Sequence, residues 1–297
     1  MNLYRFKTFR TAYYFPDIPK GGEFLYGLYT PFGNKLAKMY WCAFRHLRIV
    51  RSLNKVDLKN LDFPYERIVG LCPQGSFLSF NMGTPGPEQK ISMLGLSADG
   101  NRFFAKYSTN SAAIKLSRNE ICVLKSLSGL NIAPELLSSN DAEDYVFFST
   151  TCVDGTNPQN LSLNEDIVDL AISINRINHK DSVIQTGLSH GDFTPWNMLM
   201  DASGNYHIID WEMAKERCLG YDIFTYLIHV ATLMMPNEPL LEIINANKKL
   251  INRYFDAFKI NDWDPYLEKY VAERCDYEHS KGNYEHTLKL ESLKNNR

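Results

Sequence analysis

The 297-residue sequence holds six cysteines, at 42, 72, 122, 152, 218 and 275, and none of them forms a CxxC or any other close pair. That spacing excludes a zinc-ribbon ligand set and a disulfide scaffold, and it suits a reducing compartment. Long apolar runs are missing too: no window approaches the ~18 uncharged residues of a membrane span. The opening stretch MNLYRFKTFRTAYYFPDIPK interleaves charges with Pro16 and Pro19, unlike the unbroken apolar region of a secretory leader. The expected setting is therefore cytoplasmic. Internal repeats and low-complexity tracts are also absent. What is there, 44% hydrophobic and 13% aromatic residues, is the composition of a globular chain long enough for two lobes. At this length folding hides roughly 75% of the surface of an unfolded chain, so no structural metal is needed to hold it.

Charge is nearly balanced overall, 32 Lys+Arg against 34 Asp+Glu, but unevenly placed. Residues 1–70 carry twelve basic and five acidic side chains, a net +7, which leaves −9 for the remainder. No nucleic-acid partner is expected from the whole. From Gly33 to Leu53, apolar Leu36, Tyr40, Ala43, Leu47 and Val50 recur at helical steps while Lys38, Arg45, Arg48 and Lys55 gather on another side, which predicts one basic amphipathic helix. Its basic side would draw an anionic glycan or a membrane surface, or else it is a solvated cover of the small lobe.

Residues 75–107 read as three short strands, GSFLSFNMG, QKISMLGLS and RFFAKYS, in an antiparallel meander. A helix from Ser111 to Ser128 ends at Gly129, and DYVFFSTTCV is a buried strand. After Pro158 the pattern is mostly helical, over 163–179, 219–235, 238–259 and about 263–292, with one hairpin around 198–210. The fold class expected is α+β, with three parts: a basic extension over 1–70, a small sheet lobe over 71–150 and a helical lobe over 151–297.

The chemistry concentrates in LSHGDFTPWNMLMDASGNYHIIDWE, residues 188–212. If the hairpin turns between Ser203 and Gly204, paired residue numbers sum to 407 and Asn197 falls opposite Asp210. Directly opposed residues have Cβ atoms about 5 Å apart, so an amide oxygen and a carboxylate would converge on one hard cation. Asp192 can reach the same space. One group to orient a hydroxyl and two to hold Mg²⁺ against phosphates is what phosphoryl transfer requires.

HGDFTPWN followed by IIDWE resembles the catalytic and metal motifs of the aminoglycoside phosphotransferase and choline kinase group of the protein-kinase-like superfamily, over roughly residues 75–235. The resemblance implies a bilobal kinase-like fold, an ATP-dependent transfer, GTP being the alternative nucleotide, and a small-molecule hydroxyl acceptor such as a sugar or glycan precursor. It implies Asp192 as catalytic base, Asn197 and Asp210 as magnesium ligands, His190 as organiser of the loop and Asp222 as its buried brace. In the small lobe it needs a strand lysine and a helix glutamate. Lys106 ends FFAK, and Glu120 is the one charge on the stripe Leu116, Glu120, Val123, Leu127. A buried charge needs a partner, so the two are expected to pair. Pairing across Asp99 and Gly100 would set Met93 and Gly95 opposite Lys106 and Phe104, as a roof for adenine.

Gly83 and Gly86 in FNMGTPGPEQ are the candidates for a phosphate loop, although Pro85 and Pro87 remove donors. Main-chain groups of Thr151 to Val153 are the candidate adenine contacts. Trp196, Trp211, Trp263, Tyr266 and Tyr270 are core, a cage for a quaternary amine, or a platform for a sugar. A nucleotide-binding pseudokinase scaffold is the competing reading. A protein kinase is disfavoured, because eleven residues between Asp210 and Asp222 are too few for an activation segment.

Overall fold

The computed structural model describes residues 2–31 and 35–295, and Gly33 and Asn34 of the predicted basic helix lie outside them. The chain divides into two units, Met1–Cys152 and Val153–Arg297. The expected α+β class is borne out: the first unit is built on a sheet, the second mostly on helices.

In the first unit, strands β1 (Leu3–Lys7) and β2 (Ala12–Pro16) come from the stretch that shows no periodicity in the sequence. They join the meander β4 (Phe77–Asn81), β5 (Lys90–Leu96) and β6 (Arg102–Ser108) through pairing of β2 with β4. With β3 (Lys55–Val56), β7 (Leu136–Asp141) and β8 (Val146–Thr151) the sheet has eight strands in the order β3-β1-β2-β4-β5-β6-β8-β7. The basic first quarter, expected as an extension, is thus sewn into the sheet by backbone pairing.

The single helix read from 33 to 53 is two, α1 (Lys35–His46) and α2 (Arg48–Leu53), because Leu47 adopts an extended backbone between them. Trp41 and Phe44 on α1 pack with Phe6, Phe15 and Tyr26 in an aromatic cluster. Helix α3 (Tyr65–Leu71) contributes Tyr65 and Ile68 to a second cluster with Leu78, Phe80, Met93, Phe103, Ala105 and Tyr107 of the sheet. Helix α4 (Ser111–Leu127) runs as the sequence predicts and packs against β6, β7 and β8.

The register of the β5–β6 hairpin differs from expectation by one residue. Ser92 pairs with Lys106 and Leu94 with Phe104, while Met93 and Gly95 face Ala105 and Phe103. The turn is not centred on two residues: Ser97 N–H donates to Asn101 O at 2.9 Å, Gly100 N–H donates to Ser97 O at 3.0 Å, and Gly100 takes φ +86°. A left-handed glycine at that place is the bulged three-residue loop, which shifts the ladder by one and exchanges the faces. Met93 is buried in the core, and Ser92 and Leu94, not Met93 and Gly95, stand opposite Lys106 and Phe104.

In the second unit, α6 (Tyr221–Met234) is buried almost throughout and packs against α5 (Glu165–Arg176), α7 (Leu240–Ala246) and α9 (Asp264–Ser280). The expected helix over 238–259 is interrupted at Asn247, where α8 (Lys248–Asp256) begins, and the last one pauses before α10 (Tyr284–Asn295). Two small ladders frame the motif segment: β9 (Thr186–Ser189) with β12 (Lys215–Cys218), and β10 (Met198–Met200) with β11 (Tyr206–Ile208). Among the described residues no helix is long and apolar enough to cross a membrane.

Candidate active site

The loop after β9 is fixed from below. Asp222, in the first turn of α6 and fully buried, accepts from Ser189 Oγ at 2.8 Å, His190 N–H at 3.0 Å and Gly191 N–H at 3.0 Å. Three donors on one carboxylate hold three consecutive residues. Gly191 has to be glycine, since its φ is +85° and a Cβ there would meet Met213 O at 2.5 Å and Arg217 Nη1 at 2.7 Å. His190, also fully buried, donates from Nε2 to Ile209 O at 3.0 Å and accepts Asp192 N–H on Nδ1 at 3.3 Å. Those roles define the neutral Nε2–H tautomer. The imidazole ties the loop to the far end of the hairpin, edge-on to Trp211 at 4.8 Å.

The hairpin register again differs by one. Met198 pairs with Ile208 and Met200 with Tyr206, so pair sums are 406, and Ile209 N–H donates to Asn197 O at 2.9 Å. Ile209, not Asp210, stands opposite Asn197. The cause is the same bulged loop, with Gly204 at φ +85° and its N–H donating to Asp201 O at 3.0 Å. Asp210 itself has a left-handed backbone, φ 68° and ψ 55°. Such a conformation in a non-glycine residue costs of order 1–3 kcal/mol and concentrates at functional sites.

Asn197 Nδ2 donates to both Asp192 O and Asp192 Oδ2, each at 2.9 Å. That fixes the carboxylate and turns the amide oxygen of Asn197 away from it. Burial pushes the Asp192 carboxyl above its ordinary range, and the neighbouring charge of Asp210 adds to the rise, against the lowering effect of the Asn197 hydrogen bond. The pair Asp192 and Asp210 is thus close enough to interact.

Lys106 and Glu120 form the expected ion pair in the first unit, with Nζ at 2.9 and 2.7 Å from the two carboxylate oxygens and both residues under 10% exposed. A step along the same strand face, Ser108 Oγ meets Ser117 Oγ of α4 at 2.8 Å. Lys106 also lies 5.9 Å from the centroid of the Phe148 ring.

The remaining expectations find less geometry. Gly83 N–H is taken by Asn81 Oδ1 at 3.0 Å, and a Cβ at Gly83 would lie 2.4 Å from Lys90 O, so this glycine serves the close approach of β5. Gly86, in the same connection, accepts Gln89 N–H at 3.1 Å and has open space at its Cβ position. Thr151 N–H donates to Glu135 O at 2.9 Å and its Oγ1 accepts Glu135 N–H, which withdraws that amide from ligand contact. Val153 begins the second unit. Of the five aromatics considered for a cage, Trp211, Tyr266 and Tyr270 are buried and Trp263 packs on Phe224 and Phe255. Only Trp196 of the five is exposed.

Three supports were not legible beforehand. Asn157 Nδ2 donates to Pro195 O, Trp196 O and Met198 O at 2.9–3.2 Å and so holds the segment that carries Asn197. Buried Asn175 donates to Leu188 O and accepts from Tyr254 OH. His229 lies 3.5 Å from Asp192. Only the last left a signal, since it follows Asp222 by seven residues and shares its helix face.

The phosphotransferase enzyme family matches residues 177–268. Similar solved structures include an aminoglycoside-3'-phosphotransferase of type VIII (17% identity, TM-score 0.45, 56% of this chain and 82% of that one). They also include the amicoumacin kinase hAmiN in complex with AMP-PNP, Ca2+ and Ami (10%, 0.47, 69% and 86%). A third is an aminoglycoside phosphotransferase from Alicyclobacillus acidocaldarius subsp. acidocaldarius DSM 446 (15%, 0.38, 69% and 89%). No curated protein matches the chain. The segment that matches the phosphotransferase enzyme family, residues 177–268, contains His190, Asp192, Asn197, Asp210 and Asp222.

Proposed function

We propose that the protein transfers the γ-phosphoryl group of ATP, or of GTP, to a hydroxyl of a small molecule, with a sugar or glycan precursor as the acceptor class. The observation that carries this reading is Asp192, pinned by Asn197 beside Asp210 on a loop whose backbone Asp222 holds. Asp192 orients the acceptor hydroxyl and takes its proton as the oxygen bonds to phosphorus. The bond to the bridging oxygen breaks, and its electron pair leaves with the nucleoside diphosphate. Lys106, steadied by Glu120, is the residue for the nucleotide phosphates.

Asn197 and Asp210 would hold Mg²⁺. They fit it because their donors are hard oxygens, and because two interacting carboxylates, Asp192 and Asp210, favour a cation between them. When bound, the ion supplies charge neutralisation on the phosphates. A pseudokinase scaffold would have no use for a pinned base. Incubation with labelled ATP and a panel of sugars, amino alcohols, aminoglycosides and a metabolite extract tests the reading. Labelled product in wild type and none in Asp192→Asn is expected, and turnover by both proteins would refute it.

A second reading concerns where the acceptor is met. Residues 35–55 carry six Lys/Arg and no acidic residue, and Lys35, Lys38, Arg48 and Lys55 are exposed beside exposed Leu36, Met39, Leu47, Ile49 and Leu53. An apolar stripe with a basic flank suits an anionic lipid or glycan surface. Charge reversal of Lys35, Lys38 and Arg48 should weaken sedimentation with phosphatidylglycerol vesicles, or raise the Michaelis constant of an anionic acceptor, in a salt-sensitive way. No effect on either would leave these helices as cover for the sheet.

A further inference from the structure

Helix α6 presents two residues to the motif loop from one face: Asp222 at its start, on the loop backbone, and His229 two turns later, whose Nδ1 lies 3.5 Å from Asp192 Oδ1. The opposite ring nitrogen of His229 is engaged from α9, where Arg274 Nη2 approaches Nε2 to 2.6 Å. A guanidinium can only donate. Nε2 must therefore accept, and the proton of the neutral ring must sit on Nδ1, the atom that faces the Asp192 carboxylate. Burial, followed by the charges of Arg274 and His286, drives His229 down to about 3, so the ring stays neutral.

Arg274 is itself locked. It is 7% exposed and meets Glu278 Oε1 at 2.7 Å, while Glu278, 2% exposed, accepts Asn283 Nδ2 at 2.7 Å. His286 Nδ1 stands 3.4 Å from the same carboxylate. Trp196 lies nearly parallel to the His229 ring, at an interplanar angle of 11° with centroids 6.3 Å apart.

We propose that His229 is a positioning residue for the transfer: held as the Nδ1–H tautomer by the Arg274–Glu278 pair, it fixes Asp192 Oδ1 while Asn197 fixes Oδ2. This rests on the reading of Asp192 as the base. With both oxygens restrained, the carboxylate has one orientation left in which to receive the acceptor hydroxyl. A neutral donor does this without the cationic charge that would weaken the base. A distance of 3.5 Å is long for a formed hydrogen bond, and catalytic hydrogen bonds of ligand-free sites commonly tighten when substrate binds.

Two measurements on the full chain test the proposal. The first is ring-nitrogen NMR of His229 between pH 6 and 8. The expected result is a protonated Nδ1 and an unprotonated Nε2, with the Nδ1 signal moving in Asp192→Asn. A protonated Nε2, or an imidazolium, would overturn the assignment whatever the protein's activity.

The second is MgATP turnover, with water as the acceptor in place of an unidentified one. His229→Phe keeps a ring and loses the donor, and it should lower kcat about 10- to 100-fold, the loss expected of one hydrogen bond to a charged group, with the Michaelis constant for ATP within about twofold. His229→Asn returns an amide N–H near the place of Nδ1 and should recover most of the rate. Wild-type kcat in His229→Phe, or equal losses in both variants, would refute the positioning role. Turnover retained in Asp192→Asn would instead refute the underlying assignment of the base.

Discussion

Replacing Asp222 by alanine removes an acceptor shared by Ser189 Oγ, His190 N–H and Gly191 N–H at 2.8–3.0 Å. Asp222, Ser189 and His190 are fully buried, so water cannot take the carboxylate's place without opening the loop. Each buried donor left unmatched costs about 1–3 kcal/mol. The serine hydroxyl can rotate and the two amides cannot, which puts the expected loss at about 3–5 kcal/mol. That is a large part of the 5–15 kcal/mol typical of a folded protein. At roughly 2–4 °C per kcal/mol for domains of this size, melting of the second unit should fall by about 6–20 °C.

Asp222→Asn sharpens the test, because it can keep an oxygen toward Ser189 and Gly191 and misplaces only the contact with His190. It should lose about 1–3 kcal/mol. Thermal unfolding gives the magnitude, and amide hydrogen exchange at His190 and Gly191 shows whether the loss sits where the structure puts it. An alanine variant that melts within about 2 °C of wild type and keeps both amides protected would refute the reasoning.

Asp192→Asn should abolish transfer and leave nucleotide affinity nearly intact, whereas Asp210→Ala should also lose Mg²⁺-dependent nucleotide binding; isothermal titration with and without Mg²⁺ separates the two. Glu120→Gln takes away the buried carboxylate that meets Lys106 Nζ at 2.7 Å and should destabilise the protein, read by urea unfolding, while Lys106→Met with Glu120→Leu should be much milder. Wild type should gain about 2.7 kcal/mol of stability at a hundredfold excess of MgATP over its dissociation constant, and Lys106→Ala should lose that gain. The raised Asp192 carboxyl gives a signed pH dependence in the metal-free protein. Folding favours its protonated form, so stability falls as pH rises from the ordinary aspartate range through the raised value, while the ionised base needed for transfer is lost as pH falls through that same value. Carboxyl-carbon NMR follows the titration, and Asp192→Asn should remove both effects.

The chemistry of this protein was written locally. HGDFTPWN and IIDWE bring their functional groups within a span of 21 residues, 190–210, and the stripe of α4 marks Glu120 because a lone charge on an apolar face needs a partner. The strands of the meander and helix α4 were legible for the same reason: their periodicities of two and 3.6 are properties of neighbouring residues. Both hairpins pair one residue away from the register of a two-residue turn, and both turn on the same pattern, Ser97-Ala98-Asp99-Gly100-Asn101 and Asp201-Ala202-Ser203-Gly204-Asn205. The glycine in fourth place was a signal available beforehand, since only a left-handed residue there closes the bulged loop that sets the pair sums.

Other features had no local signature. β1 and β2 exist as strands because β4 offers an edge to pair with, and Leu136–Asp141 is a strand only because β8 lies beside it. Asn157 reaches the motif segment across 39 residues and Asn175 across 13 from another helix, while Arg274, held by Glu278, reaches His229 across 45. Sequence alone singled out the candidate groups for the proposed transfer, because residue type and short-range spacing carry that information. Tertiary structure decided which atoms of those groups are held, and by what, because a hydrogen bond depends on directions to within a few tenths of an ångström that only the packed chain defines.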